Sequence, residues 1–157
     1  MKFLCSTLLA FGSAVFAVPA VTTGSAVVFN NSTNLFYLWS VGDTISKTYT
    51  IVPSGGTYLE PLHRDPRSGG IALKMTKTPT GLLDGAPQQV FAYNLDGDTV
   101  WYDLSTVFGD PFQGNRLEVT SDTGEKIIWP KGTHPGGSQV KSTRSSENIW
   151  FTVYGPK

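Results

Sequence analysis

The sequence predicts an all-β protein, an antiparallel β-sandwich, on three observations. Apolar and polar residues alternate with a period of two from end to end, and no stretch sustains a helical period of 3.6. Clusters of Gly, Pro, Asn and Asp break the alternation at short intervals, as hairpins of short strands require. No linker, repeat or shift in composition divides the chain, so one domain is expected over residues 18–157.

Taken in order, "AVVFN" (26–30) reads as the first strand. "LFYLWSV" (35–41) is apolar on both faces, the pattern of a central strand covered on each side. "ISKTYTIV" (45–52) sets Ile45, Tyr49 and Ile51 opposite Ser46, Thr48 and Thr50. "IALKM" (71–75) sets Ile71, Leu73 and Met75 opposite Ala72 and Lys74. "QVFAYNL", "RLEVT" and "KIIW" continue the series, and "NIWFTVY" (148–154) closes it with Ile149, Phe151 and Val153 on one face. Turns fall at "PSGG" (53–56), "SGG" (68–70), "DGD" (96–98), "GDP" (109–111), "DTGE" (122–125) and "GTHPGG" (132–137). The polar stretch "GGSQVKSTRSSEN" (136–148) is expected to be a mobile loop.

The first residues read as an address. Lys2 precedes an apolar run from Phe3 to Phe16, and "AVFA" places small residues before a cut after Ala17, with Ala20 as the alternative. The run is shorter than the roughly 20 residues a membrane span needs, and no second one follows. A secreted, extracellular protein is expected, with no membrane partner. Cys5 is the sole cysteine and lies in this leader, so disulfides and thiolate chemistry are not expected beyond it. Charge is balanced at 12 basic and 12 acidic residues, and the basic ones are scattered. Nucleic acid, which needs a basic patch, is not an expected partner. "NNST" (30–33) offers overlapping glycosylation sequons at Asn30 and Asn31.

The segment that raises a chemical question is "DTVWYDLSTVFGDPF" (98–112), with three aspartates among four aromatic rings. On a strand, Trp101 and Asp103 share a face. An indole beside a carboxylate is one way to hold a sugar, the ring packing on C–H groups and the acid accepting hydroxyl hydrogen bonds. Against this, Asp103 before "LSTVF" also reads as the N-cap of a single helical turn, and local sequence favours that. Glycoside hydrolysis needs two carboxylates about 5–10 Å apart. Glu60, Asp65, Asp96, Asp98 and Asp103 are available, and spacing alone brings no pair together. His63 and His134 stand apart with no zinc pattern around them, and Val107 occupies the position where a calcium loop starting at Asp96 needs its Glu. Neither a metal nor another cofactor is expected.

Several blocks carry a family resemblance: "VVFNN", "FYLWSVG", "EPLHRDPRSGGIALKMT", "GLLDGAPQQVFAYNLDGDTVWYDLSTVFGDPF" and "PGGSQV". Together, over about residues 24–140, they resemble the fungal secreted family named for a yeast-phase-specific Blastomyces protein, whose members are described as antigenic thaumatin-like proteins. "WYDLSTVFGDPF" is similar, more distantly, to the Tyr-Asp-(Val/Ile)-Ser motif of thaumatins. The resemblance implies two packed sheets with an outward acidic cleft that binds glucan and in some members hydrolyses it weakly. It carries Asp103 into that cleft, with Trp101 beside it, Asp98 and Glu60 as further acids, and Arg64 as a basic member. Asp103 and Asp98 are then the candidates for catalysis. Beyond the leader the chain departs from thaumatins in having no cysteines, and it is expected to lack the second domain that walls their cleft. A monomeric wall-polysaccharide binder, acting as antigen or host-interaction effector, is the expected function. The alternatives are a weak β-1,3-glucan hydrolase and an effector that binds a host protein.

Overall fold

The computed structural model describes residues 22–156, so the expected leader lies outside the described residues. Eleven strands form: β1 (Ser25–Asn31), β2 (Phe36–Val41), β3 (Tyr49–Ile51), β4 (Gly56–Pro61), β5 (Ile71–Thr76), β6 (Gln88–Asp96), β7 (Thr99–Val107), β8 (Leu117–Thr120), β9 (Ile127–Trp129), β10 (Lys141–Arg144) and β11 (Ile149–Tyr154). They make a five-stranded sheet in the order β4-β1-β11-β8-β9 and a six-stranded sheet in the order β10-β7-β6-β5-β2-β3. The fold is all-β, and no helix forms among the described residues.

The inward residues of both sheets build one core. Val28, Phe151 and Leu117 from the five-stranded sheet meet Leu38, Leu73, Phe91 and Leu104 from the six-stranded one. Phe91 stacks on Phe151 across the interface at 5.8 Å between centroids, and Phe36 meets Phe112 edge-on at 5.1 Å. Trp129 is fully buried, and its indole N–H donates to Gln139 Oε1 at 2.8 Å. That bond satisfies the one polar atom that burying a tryptophan would otherwise strand.

Three expectations need correction, and one strand was not expected. The all-β sandwich holds, with one pair that is not antiparallel: β1 runs parallel to β11, which joins the first and last described strands within one sheet. The segment 45–52 is a strand only over Tyr49–Ile51. The Gly42 N–H donates to Thr44 O and the Ser46 hydroxyl accepts the Ser40 N–H, so the chain turns there and Ile45 stays 55% exposed. β4 was not legible as a strand; "GTYLEP" hides its inward face in polar-tipped Tyr58 and Glu60. The polar stretch 136–148 is not one loop, because β10 pairs with β7 at its edge. Thr143 of β10 is buried where a strand ordinarily shows an apolar residue, and its hydroxyl donates to the Glu147 carboxylate in the turn that follows.

The hairpin at "DGD" forms as expected. Asp96 pairs with Thr99, and Gly97 takes the first of the two loop positions at φ +57°, where a side chain would be strained.

Candidate functional site: a groove on the six-stranded sheet

Alternation along β7 sends Val100, Tyr102 and Leu104 into the core and turns Trp101 and Asp103 outward. The helical turn expected after Asp103 does not form. β7 continues through Val107, in register with β6 all the way to Gln88, and Asp103 faces Ala92 from mid-strand. β-Branched Thr106 and Val107 suit that extended backbone, and nine paired positions outweigh one capping bond.

On this outer face one register row runs Val41–Ala72–Ala92–Asp103 across β2, β5, β6 and β7. The two alanines keep its middle low. Lys74, Trp101 and Val140 stand around it, and Gly42, Ser68 and Asn94 complete the rim of an open groove of about 520 Å³. Trp101 is 48% exposed. Asp103 Oδ1 is buried and accepts no hydrogen bond, and burial pushes the carboxyl pKa upward. An acceptor in that condition costs about 1–3 kcal/mol until a donor reaches it. The groove therefore offers a flat apolar ring, an acceptor lacking a donor, and the ammonium-bearing chain of Lys74.

Glu60 is not in this groove. It points from β4 into the open end of the sandwich, where Oε1 accepts the Tyr93 hydroxyl and Oε2 the Tyr58 hydroxyl, each at 2.6 Å. Burial, and then the bond to Glu60, raises the pKa of both tyrosines. His63 Nδ1 lies 3.0 Å from the Pro61 carbonyl oxygen and 3.2 Å from the Tyr93 hydroxyl. Tyr58, Glu60 and His63 line a second hollow of about 300 Å³ with Ser40, Thr44, Tyr49 and Asp65. Backbone N–H groups of Asp43 and Ser68 hold Asp65 well below the usual carboxylate range.

The other expected site residues lie elsewhere. Asp98 is exposed in the β6–β7 hairpin loop, and its carbonyl accepts the Ser145 N–H. Arg64 is exposed on the loop after β4 and lines neither hollow. Among the described residues no three His, Cys, Asp or Glu side chains are grouped to hold a metal. Asn30 is fully buried, and its side-chain amide donates to the carbonyls of Asn34, Ile51 and Val52 at 2.9, 3.1 and 3.0 Å. It cannot carry a glycan in this fold, whereas Asn31 is exposed. Lys74 and the alanine floor were not singled out as site residues. Their signal was the outward face of "IALKM", too short a pattern to show what stood across the sheet.

Two packed sheets, with a groove over the outer face of one, are an architecture that this chain shares with thaumatin-like proteins. The chain superposes with a TM-score of 0.65 on the protein elicitor MoHrip2 from Magnaporthe oryzae, at 23% identity, over 83% of this chain and 98% of that one. It superposes with a TM-score of 0.55 on the thaumatin-like xylanase inhibitor TLXI, at 9% identity, over 82% and 97%. In sequence it is 30% identical over 123 residues to the secreted thaumatin-like protein calA of Emericella nidulans, covering 76% of this chain and 69% of that protein. It is 29% identical over 118 residues to an antigenic thaumatin-like protein of Arthroderma benhamiae, covering 73% of this chain and 58% of that protein. The chain belongs to the Blastomyces yeast-phase-specific protein family, whose model matches residues 13–155.

Proposed function

We propose that this is a secreted protein that binds polysaccharide in the groove of its six-stranded sheet without hydrolysing it. The observation that carries the reading is the exposed indole of Trp101 beside Asp103, whose buried Oδ1 lacks a donor. A sugar supplies both missing partners at once, a C–H face for the ring and a hydroxyl for the acid. Secretion draws on the apolar leader cut after Ala17 or Ala20, and on the secreted relative. Asn31 is then the position for a glycan. Binding without cleavage draws on the groove's lining, where Asp103 is the one carboxylate while glycosidases use two about 5–10 Å apart. A role as antigen or host-interaction effector follows from surface display of such a binder.

The test is retention of the purified protein on insoluble β-1,3-glucan, chitin and cellulose, with released sugars assayed in the supernatant. Retention on one polymer, lost in Trp101→Ala and Asp103→Ala, with no sugar released, is the expected result. Sugar release abolished by Asp103→Ala makes the protein a hydrolase instead.

A second reading, binding of a host protein, draws on the opposite face. There Leu59, Trp150 and Ile128 are 58%, 39% and 38% exposed, and Val27 lies buried between the first two. Crosslinking to one host extracellular protein, lost in Trp150→Ser and kept in Trp101→Ala, supports it.

A further inference from the structure

We infer that the glycan on Asn31 is a packed part of this protein: its first N-acetylglucosamine seats against Phe29 and Tyr154 and covers that end of the outer face of the five-stranded sheet. This rests on the secretion and glycosylation reading above and does not depend on the polysaccharide groove.

The two overlapping sequons meet opposite fates in the fold. Asn30 turns inward, and its Nδ2 is committed to three backbone carbonyls. An N-linked glycan is attached through that nitrogen, so Asn30 has none to give. Asn31 turns outward at the end of β1 and is exposed. Thr33, which completes its Asn-Ser-Thr sequon, is exposed as well. Attachment joins Nδ2 to the anomeric carbon of an oligosaccharide delivered on a polyprenyl diphosphate. The C1–O bond to the diphosphate breaks as the C1–N bond forms, the lipid diphosphate leaves, and Nδ2 gives up one proton.

Alternation along β1 puts Val27, Phe29 and Asn31 on one face. Phe29 therefore precedes Asn31 by about 6.6 Å along the strand, and Tyr154, the register partner of Asn31 on β11, lies about 4.8 Å to the side. Both rings are partly exposed. Glu118 pins the far end of Tyr154 by accepting its hydroxyl at 3.1 Å. The attachment point is fixed too, since the Asn31 carbonyl accepts the Gly155 N–H at 3.1 Å. A glycan thus starts from a held strand end between two aromatic side chains. A pyranose presents a face of C–H groups that packs on an aromatic ring. As a free ligand a single sugar makes such a contact weakly, but tethering through Asn31 removes the entropic cost of association. The other end of the face stays open: Val27, flanked by Leu59 and Trp150, is four residues or about 13 Å from Asn31.

The experiment uses the full chain secreted from a yeast host. Its intact mass should carry one N-linked glycan, absent from Asn31→Gln. Thermal unfolding is then compared among three forms: intact, trimmed by an endoglycosidase to the first N-acetylglucosamine, and stripped by an amidase that leaves an aspartate. The intact and trimmed forms should melt together, about 2–4 °C above the stripped one. Asn31→Gln, which adds no charge, should match the stripped form. In Phe29→Ser the gap should shrink to under about 1 °C, the signature of a direct contact. Nuclear Overhauser contacts between sugar ring protons and Phe29 in the wild-type protein give the same test without a variant. A glycan at Asn31 with no such gap, a gap that trimming removes, one unchanged in Phe29→Ser, or no sugar contacts to Phe29 overturns the packing and leaves the glycosylation reading intact. No glycan at Asn31 overturns both.

Discussion

Glu147 and Asp103 are both acids set among strands, and the fold treats them in opposite ways. Glu147 sits in the turn between β10 and β11 and is 9% exposed. Its carboxylate accepts the Thr123 N–H at 3.0 Å, the Thr123 hydroxyl at 2.6 Å and the Thr143 hydroxyl at 2.7 Å, and these bonds hold its pKa down at about 2. Asp103 faces the groove with one buried oxygen lacking a donor, and burial drives its pKa up. The first acid staples the turn that crosses from β10 in one sheet to β11 in the other onto the loop between β8 and β9. The second is left unsatisfied on a rigid strand, a cost that stability alone would have removed. The difference teaches where to look for function: among the groups whose hydrogen bonding the fold leaves incomplete, and less among those that acidity alone singles out.

The largest effect should come from breaking the satisfied member. Glu147→Ala removes three accepted hydrogen bonds and strands the buried Thr143 hydroxyl, so denaturant unfolding should show a loss of about 2–3 kcal/mol. A loss under about 0.5 kcal/mol would mean that the staple is ornamental.

Acid titration separates the two next. Glu147 has a depressed folded pKa, so its stabilisation is complete above its ordinary value of 4.5 and is lost as pH falls toward about 2. Asp103 has the opposite sign. Its folded pKa lies above the ordinary 3.8, so its contribution falls as pH rises through that window. Unfolding measured across acid pH should show the Glu147 slope vanish in Glu147→Gln and the Asp103 slope vanish in Asp103→Asn.

Smaller still, Asp103→Asn should stabilise the protein at neutral pH by up to about 1 kcal/mol, since it removes the charge that burial disfavours. A clear destabilisation would place Asp103 in the structural class with Glu147. Smallest is Trp101→Ala, expected to shift stability by no more than about 0.5 kcal/mol while abolishing polymer retention. That combination is the signature of a residue kept for binding.

How much of this was legible follows from what each residue depends on. The inward faces of β5 and β11 follow from period-two alternation, because a side chain's direction on a strand is a local property. Likewise Trp101 and Asp103 had to share a face once their segment was extended. The choice of strand over helical turn was not local, since the pairing of β7 with the whole length of β6 decided it. β4 and β10 escaped notice because their inward residues are polar and become buriable only through partners outside the strand, Tyr93 for Glu60 and Glu147 for Thr143.

By itself the sequence determined the fold class, the core faces, the turn positions and the family, all of which rest on patterns spanning a few neighbouring residues. Tertiary structure alone decided which acids meet. It set Glu60 and Asp103 in different hollows, withdrew Asn30 from the surface, left Arg64 and Asp98 aside, and brought Lys74 to the groove. The physical reason is that register across strands distant in sequence fixes which side chains share a face, and no local pattern carries that register.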